Sequence, residues 1–454
     1  MAEKRKEKKP SKIASSWKKF EEKRKENKAE LDAIRKKRGK KSRAQIIMGV
    51  IFTIAMTVLV VTMILSFGDI KNIGSTFGRI ANDNNWLYLF AAFALLLVYF
   101  FLWPKSLVYF SRALGIKANN REIYEIGAIE HFYNDVTPSA AGGQPFQIYA
   151  LNTIGVDTGK ATGAVLMTYL TYLLVTNLYA FVGLAFFPFY LEGVAEGSVK
   201  AFQMTVSPEL FIWIAVVGYV LNFLNLLFVF LLGKSKTVRW FIIRVCLLLC
   251  KLKIGKKFLR PLLPGFVKYC KNTQNAFKEI TTHKHHFCKA FFARFLAMGA
   301  YYTIPFFLLL AVGLPFENAA LGFFVILFGT SFAITAVCWL PTPGTTGGIE
   351  IAFSVVLASL IHMKSIVPGT FDYASFDTDA VTLLWRMFSY YLRIVLSLII
   401  SIIFEIRVEK RLHQEKKMLL LEEQKKMDQV SIRRPEEIEN TIGKNETTED
   451  EIAR

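Results

Sequence analysis

Apolar residues run for 18 or more nearly unbroken positions at seven places along the chain, and charged or turn-forming residues close each run. The runs cover 44–67, 86–103, 161–187, 209–233, 289–314, 318–340 and 380–404. About 20 apolar residues at 1.5 Å each cross the roughly 30 Å hydrocarbon core of a bilayer, so each run predicts a spanning helix. An eighth stretch, IEIAFSVVLASLI at 349–361, is too short to span alone unless it continues a broken helix. The fold class this predicts is all-α: a polytopic membrane helical bundle of about eight crossings, with two broken or re-entrant helices forming a pseudo-repeat.

Charge sets the orientation. Residues 1–43 carry 19 Lys/Arg against 7 Asp/Glu, and the loop 233–288 carries 13 Lys/Arg against Glu279 alone. The segments 68–85, 188–206, 314–317 and 362–379 together hold four basic residues against eight acids. The excess of Lys and Arg in cytoplasmic segments then places both termini and the 233–288 loop in the cytoplasm of a cell-membrane protein. Three parts follow: a basic tail at 1–43, a membrane domain at 44–406 and a charged tail at 407–454 that fades from short helix to disorder. The basic tail reads as a solvated orienting segment able to lie near an anionic leaflet. The aromatic residues a nucleic-acid site would stack are nearly absent from it, so no nucleic-acid partner is expected. No cleavable signal peptide is expected either.

Within the basic loop, 238–266 alternates aliphatic residues with Arg and Lys, the pattern of an interfacial helix. The five cysteines, at 246, 250, 270, 288 and 338, have no metal or redox spacing and read as reduced. HKHHFC at 283–288 gathers three His and one Cys, but these are local neighbours without a second cluster, so no metal and no cofactor are assigned.

Two segments interrupt the apolar pattern with nearly the same residues. Thr137-Pro138 precedes Gly142-Gly143-Gln144-Pro145, and Pro341-Thr342-Pro343-Gly344 precedes Gly347-Gly348. Proline ends a helix, and paired glycines let backbone or ligand come close. In hydrocarbon the freed backbone groups need protein or a water-lined cavity. Matched interruptions of this kind point to a transporter-type site near the bilayer midplane, with the glycines supplying backbone donors. Acidic residues flank both: Glu130 and Asp135 before the first, Glu350 just after the second. His131 beside Glu130 reads as a polar lining residue.

The last run adds cations. Arg386 and Arg393 lie seven residues apart, on nearly the same face of an ordinary α-helix, with Tyr390 between them. An arginine this deep needs a partner, and Glu350, Asp135, Glu130 or a ligand phosphate are the candidates. A simple structural clamp through Glu350 is the plain alternative. Asn222 and Asn225 are expected to hydrogen-bond across helices.

NDVTPSAAGGQPFQIYAL at 134–151 and PTPGTTGGIEIAF at 341–353 resemble the two signature segments of the lysylphosphatidylglycerol synthase transmembrane, or flippase-like, family, over roughly 44–406. The resemblance implies a polytopic membrane protein that moves a phospholipid, lysylphosphatidylglycerol among the options, between leaflets. That exchange lowers surface negative charge and implies resistance to cationic antimicrobial peptides. Only 48 residues follow Ile406 (407–454), so the lysyl-tRNA-dependent synthase domain of the two-part enzymes is not expected here. A phosphatidylglycerol lysyltransferase is therefore the weaker alternative, and a membrane scaffold for a separately encoded synthase is a third. The expected partners are the bilayer and a phospholipid with an anionic or aminoacylated head group. Lipid identity, energy coupling and oligomeric state are left open by the residues.

Overall fold

The computed structural model describes residues 83–411 apart from 138–139, 141, 187–198, 202–203, 251–262, 343, 362, 364, 371–375 and 377, with isolated positions on either side. The basic tail, the apolar run at 44–67 and most of the 407–454 tail fall outside the described residues.

The described residues are overwhelmingly helical, as the apolar runs predict. Helix α1 (Trp86–Leu102) continues past a break at Trp103–Pro104 into α2 (Lys105–Ala113). Proline at that point removes one intrahelical donor, yet the two pieces make one apolar rod of 28 residues, longer than the run at 86–103. Helix α3 (Asn120–Val136) and α4 (Gly143–Thr153) follow, then the long α5 (Thr158–Ala185). A three-residue antiparallel ribbon of β1 (Val199–Ala201) and β2 (Met204–Val206) pairs Val199 with Val206, ahead of α6 (Pro208–Lys234). Helices α7 (Lys236–Leu249) and α8 (Leu263–Thr282) form the basic loop region. Then come α9 (Lys284–Ala311), α10 (Ala319–Val337), α11 (Gly348–Ile361) and α12 (Thr378–Arg411).

Helix starts are set by side-chain oxygens that satisfy otherwise free amides. Asn119 accepts from Arg121 N–H at the head of α3, and Asp157 from Gly159 and Lys160 at the head of α5. Ser207 does the same for α6 and Asn318 for α10.

Six helical rods among the described residues are long and apolar enough to cross a membrane: Trp86–Ala113, Thr158–Ala185, Glu209–Lys234, Lys284–Ala311, Ala319–Val337 and Thr378–Arg411. Gly348–Ile361 is shorter. Helix α6 exposes Leu210, Trp213, Val217, Phe223 and Phe228 over much of its circumference. Apolar surface that extensive suits hydrocarbon rather than water.

One core cluster joins α1, α9, α10, α11 and the start of α12 around Tyr302, Phe353 and Trp385. Phe353 and Trp385 stack with ring centres 4.0 Å apart. A second cluster joins α2 to α5 around Phe110, Ile126 and Leu170. Asn225 donates to Tyr169 Oη at 2.8 Å, the cross-helix bond expected between α6 and α5. The amphipathic segment of the basic loop is helical over α7, where Trp240, Phe241 and Leu248 are exposed and Arg244 lies 3.8 Å over the Trp240 ring.

Candidate functional site

Each interrupted segment is the tip of a helical hairpin. The first tip joins α3 to α4, and the second joins α10 to α11. In the first, Thr137 Oγ1 donates to Tyr133 O at 2.7 Å and accepts from Gly142 N–H at 2.8 Å. Asn134 Oδ1 accepts from Gly143 N–H at 2.9 Å. The loop thereby folds back onto the end of α3. A β-carbon on Gly142 would sit 2.7 Å from Tyr133 O and 2.6 Å from Thr137 Cγ2, closer than such atoms pack, which explains the glycine. Tyr133 and Phe146 stack across the hairpin at 3.7 Å.

The second tip is held by backbone conformation. Gly344, Thr345 and Gly347 all have positive φ, at 58°, 55° and 92°. A β-carbon on Gly344 would enter the ring of Tyr390, so both sterics and φ require glycine there. Thr342 Oγ1 donates to Thr346 O at 3.0 Å. Glu350, in the first turn of α11, accepts from Gly347 N–H at 2.7 Å, a favourable place for a carboxylate at a helix start.

These bonds correct one expectation. The amides of Gly142, Gly143 and Gly347 were expected to serve as donors to a ligand, and they donate instead to Thr137, Asn134 and Glu350. Short polar side chains next to the glycines satisfy the donors that the broken helices release.

The two tips approach α12 from its opposite ends. Glu122 and Glu125 at the start of α3 pair with Arg411 and Arg407, and Asp135 at its end pairs with Arg393. In the other direction Ser354 on α11 donates to Asp379 at 3.0 Å, while Glu350 pairs with Arg386. Both hairpins therefore run antiparallel to the half of α12 they touch, and their tips meet between Arg386 and Arg393. At 1.5 Å per residue Arg393 lies about 22 Å along the helix.

Arg386 Nε lies 2.7 Å from Glu350 Oε1, and Nη2 donates to Gly344 O at 3.3 Å and Thr346 Oγ1 at 3.4 Å. The Nε contact is an ion pair without the alignment of a hydrogen bond. Arg393 forks onto Asp135, Nε to Oδ2 at 2.9 Å and Nη2 to Oδ1 at 2.5 Å. Tyr390 touches both halves: its hydroxyl donates to Asp135 O at 3.0 Å, and the Arg386 guanidinium lies 4.3 Å from its ring centre.

The two arginines do not share one face as expected, because Met387–Tyr391 forms a π-turn. The wider turn carries an extra residue and rotates Arg393 relative to Arg386, so each reaches a different hairpin. Turns of this kind are common at functional positions. Among the described residues the side chains expected to line a polar cavity are packed rather than open: Asp135, Glu350 and Arg386 are each 5% exposed or less.

Other candidates part company with this cluster. Glu130 does not reach Arg386 or Arg393; its Oε2 accepts from Trp103 Nε1 at 3.0 Å and Gln147 Nε2 at 3.1 Å. Gln144 and Pro145 occupy the first turn of α4, half-buried and exposed, and Pro341 is exposed. Pro138 and Pro343 lie outside the described residues. His131 is buried, 3.4 Å from Tyr99 Oη, among the rings of Tyr99, Phe100 and Trp103. Residues the sequence reading passed over include Trp103, Gln147, Tyr301 and Arg294. Tyr301 packs on Tyr99 at 5.0 Å and lies 5.5 Å beneath Arg393. Gln147, four residues beyond Gly143 in a short polar helix, carried a legible signal. Arg294 carried little, because it sits near the charged end of an apolar run.

The family model "Lysylphosphatidylglycerol synthase TM region" matches residues 46–397. The UPF0104 membrane protein of Archaeoglobus fulgidus is 34% identical over 82 residues, 18% of this chain and 25% of that protein, so the match spans about a quarter of the relative's length. No solved structure matches. A match over that many residues, together with the multi-helix apolar architecture, establishes that the chain belongs to the lysylphosphatidylglycerol synthase transmembrane-region family.

Proposed function

We propose, from that membership and the geometry of the two tips, that this membrane protein is a lipid translocator. It moves a phospholipid head group between leaflets past Arg386, Tyr390 and Arg393, with lysylphosphatidylglycerol among its substrates and lowered surface charge as the result. The observation that carries the reading is the convergence of the two Thr-Pro…Gly-Gly hairpins, from opposite ends, on one short stretch of α12. Each brings one carboxylate to one arginine.

On this reading the α3–α4 hairpin enters the bilayer from the cytoplasm and the α10–α11 hairpin from outside. Neither crosses, and each tip stops near mid-membrane, in the manner of inverted transporter repeats. The apolar stretches 318–340 and 349–361 are then two arms of one hairpin. The remaining spans number six when 44–67 is included, an even count that keeps both termini cytoplasmic in the cell membrane. Thr137, Gly142, Gly143, Gly344, Gly347 and Gly348 shape the tips. Asp135 and Glu350 hold the arginines until a head group exchanges with them, the phosphate toward the guanidinium groups and any ammonium toward the carboxylates.

The test is head-group movement in proteoliposomes, read by chemical quenching of a fluorescent phospholipid in the outer leaflet. The wild type is expected to expose inner-leaflet lipid, and a folded Asp135→Asn/Arg393→Gln double variant to lose that activity. Equal rates in the two proteins would exclude this pathway. Lipid chromatography of a host expressing the chain separates the lysyltransferase reading, which requires new lysylphosphatidylglycerol to appear.

A further inference from the structure

Three arginines lie deep among the described helices, and two of them have carboxylates. The third, Arg294 on α9, is 1% exposed and makes no ion pair among the described residues. Its Nη2 donates to Ser106 Oγ at 2.6 Å and its guanidinium lies 3.6 Å over the Trp103 ring. Nε and Nη1 are buried and have no acceptor. A buried guanidinium with two unused donors is costly.

Two more unused polar atoms belong to the same neighbourhood. Gln147 spends its amide N–H on Glu130, leaving buried Oε1 without a donor. His131, its ring 4.5 Å from Trp103, leaves Nε2 unpaired. Trp103 links the group, lying under Arg294 and donating to Glu130. The locus thus offers donors on the α9 side and acceptors, Gln147 Oε1 and the Glu130 carboxylate, on the side of the α3–α4 hairpin.

We propose that Arg294 forms a further phosphate-binding subsite, apart from Arg386 and Arg393, taking a phosphodiester on Nε and Nη1 with help from Ser106. Gln147 and Glu130 accept from the hydroxyl or ammonium group next to that phosphate. A head group at Arg393 must displace a forked carboxylate, whereas at Arg294 it displaces no protein partner. Access requires the α3–α4 hairpin to part from α9. The lipid source rests on the translocation reading; the phosphate chemistry does not.

The test is isothermal titration of the full chain in detergent with dihexanoyl phosphatidylglycerol and, separately, with inorganic phosphate. Charged hydrogen bonds contribute about 1.5–3 kcal/mol, and each 1.4 kcal/mol is tenfold, so Arg294→Gln should weaken lipid binding by about tenfold or more. Arg294→Lys, with a charge but no fork, should fall between. Equal affinity in wild type and Arg294→Gln overturns the proposal, as does a wild type that binds neither ligand. Inorganic phosphate binding without lipid binding overturns the head-group assignment. If Arg294→Gln does not fold, Arg294→Gln/Glu130→Gln removes both charges; a folded double variant that binds like the wild type overturns the proposal, and one that does not bind supports it. Arg294-dependent binding by a wild type that flips no lipid would sink translocation and leave this subsite in place. Unchanged binding and flipping by Arg294→Gln would do the reverse.

Discussion

Helix α12 carries the same chemistry twice, at two depths. Near its middle, Arg386 with Glu350 and Arg393 with Asp135 are nearly sealed, the side chains 2% and 4% exposed in the first pair and 13% and 6% in the second. Towards its C-terminal end Arg407 with Glu125 and Arg411 with Glu122 leave the arginine side chains 33% and 47% exposed. Residue types and partner helices are largely shared, so the difference lies in solvent. Water around the outer pairs stabilises each partner alone and weakens their attraction. The inner pairs have no such substitute, and each charge depends on the other. The inner pairs therefore act as an interlock between the hairpins and α12, and the outer pairs only as guides that set the register of α3.

Four outcomes would break or sharpen that contrast. The largest is expected from Arg393→Ala, which strands a buried carboxylate and should cost about 3–5 kcal/mol. Thermal unfolding in detergent measures it, and a loss under about 1 kcal/mol would equate the inner pair with an exposed one. Second, Asp135→Asn/Arg393→Gln should recover most of that stability, since removing both charges of a buried pair is often close to neutral. Failure to recover would mean that the fork itself, rather than stranded charge, holds the tip. Third, Tyr390→Phe removes one hydroxyl bond to Asp135 O and should cost about 1 kcal/mol in the same melt. Smallest, Arg407→Ala and Arg411→Ala should each cost about 0–1 kcal/mol, and the effect should shrink further in high salt. A larger, salt-insensitive loss would show that the outer pairs are interlocks too.

The apolar runs were legible because spanning length needs no knowledge of what a helix packs against. The rods at 158–185, 209–234 and 284–311 follow the runs closely. Arg386 and Arg393 were legible for a related reason: charge inside an apolar run demands a partner, and Glu350 and Asp135 were among the few available. Which acid meets which arginine was not. Glu130 and Asp135 are five residues apart, about 140° around α3 at 3.6 residues per turn. Only one of them can face α12, and nothing in the residue order says which. The aim of Arg393 was hidden for a different reason, since a π-turn leaves no mark on the polar pattern. Arg294 illustrates a third limit. It lies five residues beyond Lys289, where an arginine reads as one reaching for the interface, but α9 starts at Lys284 and carries it about 15 Å inward.

The π-turn at Met387–Tyr391 also constrains how this helix can change length. It accommodates one residue more than ordinary turns would hold over the same rise, so deleting a single residue there would collapse it into regular helix. Everything downstream would stay nearly in place, because the wide turn and the ordinary turn that replaces it cover nearly the same rotation and rise, so Arg393, Arg407 and Arg411 would keep their carboxylates on α3. A deletion in the regular helix between Arg393 and Arg407 would instead swing Arg407 and Arg411 by about 100° away from Glu125 and Glu122, so the π-turn is a place where α12 can shorten without misaligning its cations.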